Sequence, residues 1–291
     1  MYNKSLVALL CGLVAASIWG GMYVVSKVVL EVIPPFTLLT IRLVLGVLGL
    51  GAIILLRSKR DFTRAGFRSS LLVGFVGYGI SLGFQFVGTK LSTASNGALV
   101  TSATPAFVLL FAPFVLHEKT TLRSILALAA STLGVLAVID PRTADFSSSL
   151  FLGNLSLLGA ALTWALYSVL VRKVSTKVDL LSSGAVMLMA GVPSSALFSL
   201  FELKTQAIGE ITIGIIAGLL FLGIISTALA MFLWNYAFAQ LPATVAALTF
   251  FAQPVVGTLL GWLLLGEKIT PFFLLGGALI GLGILISTKE N

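Results

Sequence analysis

Stretches of almost purely apolar residues alternate with short polar ones along the whole chain. The apolar stretches run over 6–28, 36–56, 69–88, 94–116, 122–139, 151–171, 180–200, 211–236, 243–265 and 271–287. An α-helix needs about 20 such residues to cross a hydrocarbon core. A membrane β-barrel would instead show alternating segments of about ten residues, and the chain has none. The pattern predicts an all-α polytopic membrane protein with ten transmembrane helices.

The pattern also repeats. ASNGALVTSATPAFVLLFAPFVLHEK, from Ala94 to Lys119, answers ATVAALTFFAQPVVGTLLGWLLLGEK, from Ala243 to Lys268. Pro105 maps to Pro254, Glu118 to Glu267 and Lys119 to Lys268, all at an offset of 149. Trp19 and Lys27 map to Trp164 and Arg172 at 145, Phe84-Gln85 to Trp234-Asn235 at 150, and Gly134 to Gly283 at 149. Residues 1–140 and 151–291 are therefore predicted to be two five-helix repeats joined by a linker at 141–150. Five spans is an odd number, so the halves insert in opposite orientations, as in inverted-topology transporters.

Charge sets the topology. With the N-terminus inside, twelve of the eighteen Lys and Arg fall on the cytoplasmic side, five outside, and Arg42 within a span. The loop at 57–68 alone carries Arg57, Lys59, Arg60, Arg64 and Arg68. The positive-inside rule then places both termini in the cytoplasm and the 141–150 linker outside.

Composition narrows the classes that remain. The chain has 291 residues, of which 58% are hydrophobic and 10% charged, against about 25% charged in soluble domains. The net charge of +8 is accounted for by topology, so no nucleic-acid partner is expected. The single cysteine, Cys11, and the single histidine, His117, give no disulfide and no metal site, and no cofactor is expected. The apolar run after Lys4 extends to about Val25 without a cleavage site and is read as a retained first helix. No Gly-x4-Gly-Lys-Ser/Thr loop for ATP is present.

Taken together, the two Pro…Glu-Lys segments, Trp19-Gly20-Gly21, Thr40-Ile41-Arg42, Trp234-Asn235-Tyr236-Ala237 and Leu241-Pro242-Ala243 resemble the drug/metabolite transporter superfamily, and its ten-helix EamA-type members in particular. The likeness covers essentially the whole chain. It implies two EamA repeats, a central cavity and transport of small metabolites, often outward. Members of the superfamily handle amino acids, nucleotide sugars, vitamins, phosphorylated sugars and cations.

Polar groups facing lipid are costly, so those within the spans are expected on faces that look into a cavity or onto other helices. Gly74, Tyr78, Ser81 and Gln85 recur on one helical face. Trp19 shares a face with Tyr23, and Trp164 with Tyr167; two such pairs suit a planar, apolar or cationic substrate, helix packing being the alternative. Trp234 offers a flat face, unless it anchors at a membrane interface, and Asn235 donates and accepts hydrogen bonds. Asn96, Thr101, Ser102 and Thr104 precede Pro105, and Thr244, Thr249 and Gln253 precede Pro254. These prolines are expected to kink their helices and serve as gating hinges. Arg42 could attract a substrate anion or snorkel outward. No acid lies mid-span, so proton coupling finds no support. Gly214/Gly218, Gly257/Gly261 and Gly277/Gly281 have the spacing of close helix contacts and are expected to pack within a monomer.

The expected substrate-binding set is thus Trp19, Tyr23, Tyr78, Ser81, Gln85, Ser102, Trp164, Tyr167, Trp234, Asn235 and Gln253, with Arg42 for anion attraction and Pro105 and Pro254 for gating. The expected function is a plasma-membrane secondary transporter of small organic metabolites, foremost an amino-acid exporter. The rivals are an importer, a carrier of organic cations, drugs or nucleotide sugars, and an intramembrane enzyme, which would need a catalytic constellation at membrane depth.

Overall fold

A computed structural model describes residues 2–56, 64–92, 97, 100–139, 148–175, 179–265 and 271–288. Every regular element among them is helical: α1 (Tyr2–Val32), α2 (Pro35–Leu55), α3 (Arg64–Gly74), α4 (Leu82–Leu91), α5 (Thr104–Leu116), α6 (Leu122–Ile139), α7 (Ser148–Ser175), α8 (Leu180–Glu202), α9 (Ile213–Leu220), α10 (Ala230–Gln240), α11 (Ala243–Leu248), α12 (Ala252–Leu265) and α13 (Pro271–Thr288). Wider-wound π-helical segments, Phe75–Ser81 and Phe221–Leu229, join α3 to α4 and α9 to α10. The helices fall on the predicted apolar stretches. Six of the resulting rods, Lys4–Val32, Pro35–Leu55, Gly66–Leu91, Phe151–Ser175, Leu180–Glu202 and Ile213–Gln240, are long and apolar enough to cross a membrane. Shorter apolar helices cover Thr104–Leu116, Leu122–Gly134, Ala243–Gly257 and Leu274–Ile286.

The outside of the bundle is apolar and its inside carries the polar groups. Leu48, Leu72, Phe114, Leu152, Ile213 and Leu263 are exposed, whereas Arg42, Ser81, Thr101, Ser226, Thr227, Asn235 and Gln253 are buried. A soluble domain has no use for such an apolar surface; lipid is its natural solvent. This is a membrane protein.

Pairings between the two halves are reciprocal. The rod 66–91 packs on α7, and α10 packs on α1; α5 packs on α7, and α12 on α1; α2 packs on α8. Glycines allow the closest crossings. A Cβ on Gly20 would sit 2.6 Å from the Gln253 carbonyl, so α1 meets α12 backbone to backbone. Where α6 meets α13, Gly134 abuts Gly276 and Ile280, while Gly283 abuts Ala127 and Ser131. Those contacts map onto each other under the offset of 149. They also run antiparallel, since the number falls on one helix as it rises on the other.

The glycine expectations divide. Gly218 abuts Val29 and Gly257 faces Gly20, but a Cβ on Gly277 or Gly281 would meet nothing within 4 Å. That pair makes no close contact among the described residues. Gly134, Gly276 and Gly283 serve the α6–α13 crossing instead, because they lie on the facing sides of those helices.

Both prolines expected as mid-helix kinks stand in first turns. Pro105 is the second residue of α5, after a turn at 102–103, and Pro254 is the third residue of α12, after a 3-10 turn at Thr249–Phe251. At Pro105 the position suits proline, because first-turn N–H groups lack partners within their own helix. A two-residue turn thus separates the helical pieces before Pro105, whereas before Pro254 the helix tightens to a 3-10 turn without a break.

Candidate functional site

The cavity at the middle of the bundle is walled by both halves. Trp19, Met22 and Tyr23 come from α1, Arg42 from α2, Ser81, Leu82 and Gln85 from the rod 66–91, and Thr101 and Thr104 from the start of the fourth stretch. Ala160, Ala161 and Trp164 of α7, Met231 of α10, and Phe250 and Gln253 complete the wall. Its free space is about 30 Å³, room for about two waters at most. No acidic residue is among the wall residues.

Aromatic rings form one side. Trp19 and Trp164, the repeat-equivalent pair, meet edge to face with centroids 5.6 Å apart, a favoured geometry for π systems. Trp234 and Phe250 continue the cluster, at 5.2 and 6.0 Å from Trp19. Trp19 Nε1 donates to the Ser226 carbonyl at 3.0 Å.

Two hydrogen-bonded chains order the polar side chains. In the first, Thr101 Oγ1 donates to the Gly97 carbonyl at 2.6 Å. Its single proton is thereby used, so Tyr23 Oη donates to Thr101 at 3.0 Å. Gln85 Nε2 donates to Tyr23 at 3.1 Å, and Gln253 Nε2 donates to Thr101 at 3.3 Å. In the second, Tyr167 donates to Asn235 Oδ1 at 2.7 Å, so Tyr78 donates to Tyr167 at 2.6 Å.

Arg42 is fully buried. Its Nε donates to Thr227 Oγ1, and its Nη2 reaches the Ser226 carbonyl at 3.3 Å and Oγ at 3.2 Å. The guanidinium stands 5.3 Å from the centre of the Phe86 ring. Thr227 in turn donates to the Leu222 carbonyl five residues back, at 2.7 Å. The π-helical segment thus presents the acceptors that hold Arg42.

Polar contacts also tie helices together away from the cavity. At one end Arg172 Nε lies 2.5 Å from Glu118 Oε1, and Arg172 Nη1 donates to the Phe238 carbonyl at 3.2 Å. Glu118 Oε2 accepts from the Ala243 N–H at 2.9 Å, where α11 begins. At the other end Lys27 Nζ, the repeat-equivalent of Arg172, donates to the Thr89, Lys90 and Ser92 carbonyls at 3.1, 3.2 and 2.6 Å. Each cation sits at a helix C-terminus, the negative end of its dipole. Glu267 and Lys268 lie outside the described residues, as do Asn96, Arg57, Lys59, Arg60 and the linker up to residue 147.

The chain matches the EamA-like transporter family over residues 6–139 and again over 151–289. It belongs to that family. Among its relatives, the uncharacterized transporter YoaV of Bacillus subtilis (strain 168) is 29% identical over 97% of both chains. A probable amino-acid metabolite efflux pump of Salmonella typhimurium is 28% identical over 94% of this chain and 92% of its own. One crystal structure, 21% identical, superposes with a TM-score of 0.81 over 97% of this chain and 96% of that one, and so shares the fold. The protein is a transporter and not an enzyme.

In this transporter Trp19, Tyr23, Arg42, Ser81, Gln85, Trp164 and Gln253 come together on the cavity wall. Tyr78, Ser102, Tyr167, Trp234 and Asn235 are buried but do not line it. The π-helical turn alters the angular spacing of the predicted stripe. Tyr78 thereby points to Tyr167, and Gly74 packs on the Met187 backbone. Arg42 does not snorkel, and Trp234 is no interface anchor, since neither is exposed. Thr101 and Thr104, passed over for Ser102, face the cavity because the turn at 102–103 reorients the chain. Met22, Met231 and Phe250 carry no sequence signal that separates them from ordinary apolar residues.

Proposed function

We propose that this transporter moves small organic metabolites, foremost amino acids, outward across the plasma membrane by alternating access. The single observation that carries this reading is the small central cavity, walled by equivalent residues of both halves. A site shared between two repeat halves is the arrangement that alternating access uses to exchange a cargo. The named activity of the Salmonella relative favours amino-acid metabolites and the outward direction.

The proposed architecture is ten spans in two inverted repeats, 1–140 and 151–291, joined by an outer linker at 141–150, with both termini in the cytoplasm. The twofold match of the family and the reciprocal antiparallel glycine contacts of α6 and α13 support it. The protein acts as a monomer in the bilayer, with a small molecule as its substrate. The expected binding set is kept: Trp19, Tyr23, Ser81, Gln85, Trp164 and Gln253 touch the substrate, while Tyr78, Ser102, Tyr167, Trp234 and Asn235 shape the wall behind them. The turn before Pro105 and the 3-10 tightening before Pro254 are the hinges.

Cells expressing the protein and loaded with radiolabelled amino acids provide the test. Faster efflux than in control cells, slowed by Gln85→Ala and Asn235→Ala at unchanged expression, is the expected result. Wild-type efflux in both variants removes the site assignment, and no efflux of any amino acid removes the substrate class.

A further inference from the structure

Three side chains on the cavity wall each carry a fully buried polar atom with no hydrogen-bond partner among the described residues: Arg42 Nη1, Thr104 Oγ1 and Trp164 Nε1. The residues themselves are 0%, 0% and 6% exposed. Unpartnered buried donors are rare and call for an explanation. Ser26 Oγ, Ser70 Oγ, Ser131 Oγ and Asn154 Nδ2 also lack a partner among the described residues, but none of these residues lines the cavity. Trp19, the repeat-equivalent of Trp164, bonds the Ser226 carbonyl, and Arg42 Nε and Nη2 are engaged.

The charge is also unbalanced. A buried cation needs a partner of opposite sign. Among the described residues Arg42 has no carboxylate, only hydroxyl and carbonyl oxygens and the Phe86 ring. The residues that wall the cavity therefore carry one full positive charge and unused donors, and none of them is an acid that could hold an ammonium.

We propose that the cargo carries a carboxylate, and that this group binds at Arg42, Trp164 and Thr104. Two carboxylate oxygens accept from Arg42 Nη1, Trp164 Nε1 and Thr104 Oγ1, and the negative charge neutralises the guanidinium. The apolar body of the cargo lies against Trp19, Met22, Met231 and Phe250. Carboxylates without an amino group bind as well as amino acids do, and organic cations are rejected. This rests on reading the central cavity as the substrate site.

The test uses purified full-length protein, with calorimetric titration and thermal unfolding in phenylacetate, phenylacetamide and phenethylamine. Phenylacetate binds and raises the melting temperature, whereas the amide and the amine, close in shape, bind at least about tenfold more weakly. Thr104→Val deletes one unpartnered hydroxyl, and Trp164→Phe deletes the unpartnered Nε1 with part of the indole ring. Thr104→Val leaves the ligand-free melting temperature unchanged or higher, because no native bond is lost, whereas Trp164→Phe lowers it through lost ring packing; both weaken phenylacetate binding about tenfold. Equal binding of acid and amide, no phenylacetate binding, or wild-type affinity in both variants overturns the proposal. These outcomes leave the cellular efflux assay untouched. Loss of efflux activity with intact carboxylate binding instead removes the exporter reading alone.

Discussion

Arg172 and Glu118 join four helical segments through one ion pair. The carboxylate holds Arg172 at 2.5 Å with one oxygen and the first N–H of α11 with the other, while Arg172 also reaches the end of α10. The side chains are 26% and 20% exposed, between a solvated pair and a buried one. Glu118→Gln is expected to lower stability by about 1–2 kcal/mol, read as a lower melting temperature in detergent. The exchange Glu118→Arg with Arg172→Glu restores only part of the loss, because the bond to Ala243 stays broken. Full restoration would show that the α11 contact contributes nothing.

The backbone contact of Gly20 with Gln253 sets a second expectation. Gly20→Ala drives a methyl into a carbonyl that cannot turn aside, costing about 1–3 kcal/mol. Gly277→Ala meets open space and gains up to about 1 kcal/mol of helix propensity. Opposite shifts of melting temperature are predicted, and equal shifts would contradict the α1–α12 crossing.

Two threonines near Arg42 are predicted to differ in the same manner. Thr227→Val removes the hydroxyl that accepts from Arg42 Nε and donates to Leu222, and costs about 1–3 kcal/mol. Thr104→Val removes a hydroxyl with no partner and costs nothing. Chemical denaturation of the two variants checks the ordering.

Adjacent residues on α4 separate wall from surface. Gln85 lines the cavity, while Phe84 is 44% exposed on the outer face. Gln85→Ala is expected to slow efflux severalfold and Phe84→Ala to leave it unchanged. A transport loss confined to Phe84→Ala would invert the assignment of the two faces.

Tyr167 is the centre of the second hydrogen-bonded chain. Tyr167→Phe strands the Asn235 carbonyl oxygen and leaves the Tyr78 hydroxyl without its acceptor. A loss of about 1–3 kcal/mol follows, with Asn235→Ala partly suppressing it in the double variant. Additive effects of the two changes would argue against the chain.

The helical membrane character and the positions of the apolar stretches were legible in the sequence, because each needs only a local property: an apolar run long enough to span, ended by polar residues. Repeat offsets were legible too, and they paired Trp19 with Trp164 before any geometry was known. Fixed spacing could not tell which polar residues share one cavity. Two π-helical segments, a turn before Pro105 and a 3-10 turn before Pro254 change the angle between neighbouring side chains. They turn Tyr78 away from the cavity, bring Thr101 and Thr104 to it, and hold Arg42 on Ser226 and Thr227, about 185 residues away along the chain. An amino-acid string carries apolarity and periodicity locally, but whether a buried donor finds a partner depends on the helix opposite. Only the packed bundle decided that Arg42, Trp164 and Thr104 each keep an unused hydrogen bond around one space.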